Sequence, residues 1–135
     1  MKYEIQECIG SRIRVISRTI DGIYRKHLEG TNITENQLNL MMALYHTREI
    51  EQIELGRLLR LERSSLSRNL NRLIEQGFIV KKGIINRPRI LLSPKGIKKV
   101  KSLIPNWERA MDEVLCNLDT AKQSFNDFEK VIKSK

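Results

Sequence analysis

No stretch of this sequence approaches the roughly 18 consecutive apolar residues that cross a bilayer, and the chain holds only two cysteines, Cys8 and Cys116, far apart. The first scarcity argues against a membrane helix. The second excludes a disulfide framework and a cysteine-rich zinc pattern. The two histidines, His27 and His46, stand alone, so no metal site is expected. Aromatic residues are 5% of the chain, which gives little sign of a stacking cage for a ligand. The opening MKYEIQECIG lacks the apolar core of a secretory signal, so a cytoplasmic location is expected. No Ser/His/Asp triad, paired-carboxylate arrangement or Gly-rich phosphate loop is legible. Neither an enzyme nor a cofactor is expected.

What the chain does have is positive charge. It is 135 residues long with 25 basic and 16 acidic residues, a net charge of +9. That length fits one domain with accessory helices, and a 40% hydrophobic content supports a folded core. The charge is segregated. Between Gly56 and Lys101 there are thirteen basic residues and two acids, Glu62 and Glu75, a net +11, while the rest of the chain carries −2. Such a block points to a polyanionic partner.

Periodicity divides the chain. Residues 4–28 form one expected helix, with Ile5, Ile9, Ile13, Ile16, Ile20 and Ile23 at steps of three and four. The stripe suits a helix–helix interface as well as a domain core. Thr34 and Gln37 make a capping box for a second helix with Leu38, Met41, Met42, Leu44 and Tyr45 on its apolar side. Ile50 begins a short extended piece. Ile53, Leu55, Leu58 and Leu59 fit a third helix. Glu62 or Ser64 caps a fourth, whose apolar face is Leu66, Leu70, Leu73 and Ile74 and whose opposite face shows Ser65, Arg68, Asn69 and Arg72. Gly77 closes it. Ile79-Val80 and Ile90-Leu91-Leu92 are strands of a hairpin, joined by the basic, turn-rich stretch Lys81 to Arg89. Ser93-Pro94 starts a helix of about 22 residues that is kinked rather than broken at Pro105. Asp119 caps a final helix with Phe125, Phe128, Val131 and Ile132 inside. Cys116 is expected in the core.

The order short helix, tight turn, polar-faced helix, basic hairpin describes a winged helix-turn-helix. Its second helix would enter the major groove, where each base pair shows a distinct donor and acceptor pattern. The hairpin would straddle the backbone and place an arginine in the minor groove. Candidate DNA contacts are Arg63, Ser64, Ser65, Ser67, Arg68 and Arg72 on the helix, and Lys81, Lys82, Arg87 and Arg89 on the hairpin. Capping explains the serines equally well, and Arg72 could instead pair with Glu75.

These residues resemble the MarR family of bacterial transcriptional regulators. The resemblance rests on Ser64-Ser65-Leu66-Ser67-Arg68, on Arg72-Leu73 with Gly77-Phe78-Ile79, and on Leu92-Ser93-Pro94-Lys95-Gly96, in this order and spacing. It implies a mainly α (α+β) fold, with a winged helix-turn-helix over 34–96 and dimerisation helices over 4–28 and 97–135 of a single domain. It also implies a homodimer on double-stranded DNA at the nucleoid, repression at a pseudo-palindromic operator, a small-molecule effector, and no membrane partner. The family's wing carries Asp-x-Arg, whereas Asn86-Arg87-Pro88-Arg89 stands here in a wing about two residues shorter. Arg87 and Arg89 both remain open as the minor-groove arginine. Cys8 sits where some relatives carry a redox-sensing cysteine; a plain buried thiol is the alternative. A different functional class stays open too: a winged-helix module for protein interaction or for architectural nucleic-acid binding without sequence specificity.

Overall fold

The computed structural model describes residues 1–116 and 118–135, and of Asp119 only the backbone. The fold is mainly helical with one small antiparallel sheet. It comprises two compact units, one built from residues 30–104, the other from 1–29 and 105–135. Among the described residues no helix is long and apolar enough to cross a membrane.

The 30–104 unit begins with α2, Glu35–Thr47, after α1, Ile9–His27, of the other unit. Its start is the capping box read from the sequence. The Gln37 amide nitrogen donates to Thr34 Oγ1 at 3.2 Å, and the Thr34 nitrogen donates to Gln37 Oε1 at 3.0 Å. Leu38, Leu40, Met41 and Leu44 are buried. Leu40 was not on the apolar side inferred from spacing; α2 buries a wider arc than a single stripe. A three-residue strand β1, Glu49–Glu51, leads into α3, Gln52–Leu59, and α4, Arg63–Glu75. Gly56 of α3 packs closely on α4, where an added Cβ would lie 3.2 Å from Leu66 Cδ2. The four apolar residues that fit a third helix all lie in α3; Leu55 is buried, while Ile53 and Leu58 are exposed. An eight-residue helix turns few positions toward a neighbour.

Arg60 closes α3 in the left-handed region, φ 50°, ψ 46°, a conformation that costs an L-residue about 1–2 kcal/mol. Arg60→Gly should therefore raise stability by about 1 kcal/mol. Urea unfolding measures this, and an unchanged midpoint would show that the turn is unstrained.

Leu66, Leu70 and Leu73 of α4 are buried as the spacing required. The hairpin strands run further than expected, β2 over Ile79–Ile84 and β3 over Arg87–Leu92, leaving a two-residue tip of Ile85 and Asn86. Strand order is β1-β3-β2, with Glu51 opposite Arg89 and Lys82 opposite Arg89 on its other side. Pro88 pairs with Gly83 beyond the reach of β1, so a strand can hold a proline there without breaking the β1 ladder. Gly83 takes φ +94°, which permits this close pairing.

Helix α5 spans Pro94–Leu115 and runs unbroken through Pro105. Ser93 caps it, its Oγ accepting from the Gly96 nitrogen at 3.0 Å and donating to the Gly77 carbonyl at 2.5 Å. Val100 and Leu103 complete this unit's core with Phe78, Ile79, Ile90 and Leu92.

In the unit of 1–29 and 105–135, the first expected helix is two elements. A single 3₁₀ turn, Ile5–Glu7, precedes α1, and Cys8 is the N-cap between them. The Tyr24 hydroxyl donates to Met111 Sδ at 3.0 Å, and Asn106 Nδ2 donates to the His27 carbonyl at 2.8 Å. Burial raises the Tyr24 pKa above its ordinary value. Lys26 and His27 both engage Glu113, which holds that carboxyl below the ordinary range. Leu118 stands at the N-cap position of α6, Asp119–Lys133, and the Asp119 side chain lies outside the described residues.

Two expectations for this unit fail. Cys8 and Cys116 are both exposed, not buried, because each lies at a helix end rather than on an inward face. Phe125, Phe128, Val131 and Ile132 are also exposed. Their spacing gives α6 an apolar face, but a periodic pattern does not say what covers it.

Candidate nucleic-acid interface

Helix α4 projects its polar face between two open hollows. One, of about 850 Å³, is bounded by Arg57 of α3, Arg60 of the turn, Arg63 and Ser67 of α4, and Lys81 and Ile85 of the wing. The other, of about 340 Å³, is lined by Ser65, Arg68, Asn69 and Arg72 with Asn36 and Asn39 of α2. Six of the ten sequence-inferred contacts line these hollows, divided between them, while Ser64, Lys82, Arg87 and Arg89 line neither. Arg63, Ser67 and Lys81 share the wing side, and Ser65, Arg68 and Arg72 share the α2 side.

The helix start is open. Glu62 holds the N-cap position by backbone geometry, and no side chain bonds back to the first-turn amides. Of the two caps the sequence offered, Glu62 is therefore the N-cap, without a side-chain bond, and Ser64 lies inside the helix. Helix-start N–H groups left this way, with the dipole behind them, suit an anion. Ser65 accepts from Arg68 Nη2 at 3.4 Å, and Ser67 accepts from Gln52 Nε2 at 3.3 Å, so these two serines orient neighbours. Ser64, Arg63, Arg68 and Arg72 are exposed. Among the described residues, Arg72 makes no ion pair with Glu75.

The wing cations differ sharply from one another. Lys82 Nζ lies 2.6 Å from Glu49 Oε1, and Arg89 Nε donates to Glu49 Oε2 at 2.8 Å, with Glu51 3.9 Å from Arg89 Nη1. These residues share the outer face of the sheet, since Lys82, Arg89 and Glu51 stand in register. Lys81 lies on the opposite face with the buried Ile90. Arg87 is exposed beside the tip. Glu49 and Glu51 thus sit against a segment whose charge looked uniformly positive along the chain. Asn36, Asn39, Ile84 and Ile85 were also missed. The asparagines left a trace, a polar pair at i and i+3 on α2, as did the isoleucines, two apolar residues inside a cationic stretch.

The Lys82 hydrogen bond, and then that of Arg89, hold the Glu49 carboxyl below its ordinary 4.5. A carboxylate depressed in the folded state lends stability above its unfolded pKa and loses it as pH falls through the folded one. The clasp should hold at neutral pH and open as pH falls through the lowered carboxylate pKa. A carbon-13 titration of Glu49 should give a midpoint under that of a glutamate in an unstructured peptide. A midpoint at or above the peptide value would contradict the clasp.

Residues 33–90, from the start of α2 to the middle of β3, match the model of the MarR family. Over that stretch the chain is similar to the MarR family. A curated relative, the HTH-type transcriptional regulator YdgJ of Bacillus subtilis, is 27% identical over 96 residues. That match covers 69% of this chain and 58% of the relative, so the chain spans under two thirds of its length. Among solved structures, BpsR of Bordetella bronchiseptica, whose DNA binding 6-hydroxynicotinic acid regulates, superposes with a TM-score of 0.83 at 15% identity. The alignment covers 98% of this chain and 97% of that one. A mutant MarR of E. coli complexed with operator DNA gives 0.80 at 19% identity, with 98% of each chain covered. The MarR-like winged helix extends the family match to a fold shared over nearly the whole chain.

Proposed function

We propose that this MarR-family, DNA-binding transcriptional regulator acts as a homodimeric repressor at a pseudo-palindromic operator and is modulated by a small ligand. The observation that carries the reading is the open face of α4. Arg68 and Arg72 extend from it without ion-pair partners among the described residues, over a helix start that no side chain caps. In this reading Arg68 and Arg72 meet base edges, where arginine bonds guanine bidentately. Arg63, Ser64, Ser65 and Ser67 hold phosphate at the helix start, and Lys81 holds the adjoining backbone. Arg87 is assigned to the minor groove, because Arg89 is engaged by Glu49 and Lys82 shares that clasp.

Two further observations support the remaining parts. Ile9, Ile13 and Ile16 of α1 are exposed, as are Phe125 and Phe128 of α6, and a second copy would cover such faces symmetrically. The regulation of BpsR by a small aromatic acid supports an anionic effector, which would act by favouring one geometry of the dimer over another.

Selection of bound duplexes from a random pool tests the reading. The expected outcome is a palindrome with half-sites centred about 10 base pairs apart, bound at least about 10³-fold more tightly than random DNA at fixed salt. Equal affinity for all sequences would overturn it. Arg68→Ala should then cost about 1–3 kcal/mol on the selected site and little on random DNA. Equal losses on both would make Arg68 a phosphate contact only.

A further inference from the structure

The wing ends in aliphatic rather than cationic side chains. Ile84 is 74% exposed and Ile85 96% exposed, on a hairpin whose tip is only Ile85 and Asn86. Neither contributes to the core. Just below them Gly83, at φ +94°, pairs with Pro88 and carries no side chain of its own. The tip is accordingly thin. Ile85 and Asn86 border the same hollow as Arg63 and Ser67, so the tip stands on the side of the molecule that α4 presents to DNA. The cations around it are arranged in depth. Lys82 and Arg89 are drawn back to Glu49 at the base, leaving Arg87 beside the tip and Lys81 on the face of the hollow.

Isoleucine offers no hydrogen bond to a base edge. An aliphatic group pushed between base steps, with cations on the flanking phosphates, unstacks and kinks the duplex. It does so most cheaply at a flexible pyrimidine–purine step. The minor groove, about 6 Å wide, admits a thin hairpin and offers two phosphate rows for Arg87 and Lys81. A docked protein would also cover the isoleucines, but it would not account for the cations set behind them on the DNA side.

We propose that Ile85, supported by Ile84, is an apolar wedge that this wing presses into the minor groove at a pyrimidine–purine step, bending the operator. The proposal rests on the DNA-reading function above. It makes sequence preference at the wing position a matter of deformability rather than of hydrogen bonding.

The test uses the full chain and a selected duplex, labelled at both ends for energy transfer and carrying 2-aminopurine at successive steps under the wing. Wild type should bend the duplex by about 20–90° and raise 2-aminopurine fluorescence at one step per half-site. Ile85→Ser should lose both signals and bind about tenfold more weakly, a 1.4 kcal/mol change, with its melting temperature unchanged. Ile85→Leu should keep them. The wedge is overturned if wild type leaves the duplex straight, or if Ile85→Ser bends and unstacks it as wild type does. It is equally overturned if Ile85→Ser alters sedimentation without DNA while leaving bending intact, since the tip would then be a protein contact. Failure of the repressor reading looks different: wild type then selects no sequence at all.

Discussion

Gly96→Ala should destabilise the protein by about 4 kcal/mol. A Cβ at this position would fall 2.0 Å from the Phe78 carbonyl oxygen and 2.9 Å from its carbon. Both are backbone atoms, and the carbonyl is already fixed by the Ser93 nitrogen at 2.9 Å. Nothing there can swing aside as a side-chain end would. The first turn of α5 must lift away from the end of α4. That breaks the Ser93 bonds to Gly77 and Gly96 and loosens Lys95 and Lys99 from the ring of Phe78. Overpacking costs about 1–3 kcal/mol and occasionally more, and each lost hydrogen bond adds about 1 kcal/mol. Urea unfolding measures the sum. A loss under about 1 kcal/mol would show that α5 moves freely at this point.

Ile16→Asp should convert the proposed dimer to monomer and take operator binding with it. Ile16 is about half exposed, so the single chain loses little by the change. Across a two-fold interface each substitution appears twice. An unpaired buried carboxylate costs at least about 3–5 kcal/mol, so the dimer should weaken by about a thousandfold or more. Sedimentation at micromolar concentration should show monomer, and binding to a two-half-site duplex should fall by about 10²–10⁴ through lost avidity. Retention of the dimer would remove the α1 stripe from the interface. Unchanged DNA binding by a monomer would remove the need for two readers.

The sequence exposes local chemistry well and distant pairing poorly. Thr34 with Gln37, Ser93 with Pro94, and the leucines of α4 are each legible because cause and partner lie within four residues. The clasp of Glu49 on Arg89 spans 40 residues and depends on cross-strand register, which no local pattern encodes. It also corrects the charge arithmetic. The +11 segment was bounded at Gly56, and the two acids that draw its wing cations back lie just upstream of that boundary. For the candidate site, the composition of α4 pointed to Arg68 and Arg72, and both are exposed on that helix. The division into two flanks, and the part taken by Asn36 and Asn39, required knowing which way α2 turns beside α4. The apolar faces of α1 and α6 were readable as faces, but their exposure was not, because a periodicity of three and four is the same whether a core or a second molecule covers it.

The strand order β1-β3-β2 leaves β2 with a free flank along its whole length. An open strand of this kind invites another chain to continue the sheet. Here Lys81 and Lys82 stand side by side on it, and Gly83, with its positive φ, bends the line that a newcomer would have to follow. Neighbouring molecules are thereby discouraged from stacking edge to edge. Neutralising those two lysines to study nucleic-acid contacts would also remove a guard against aggregation, and a loss of soluble protein in such a variant would reflect the sheet's bare margin.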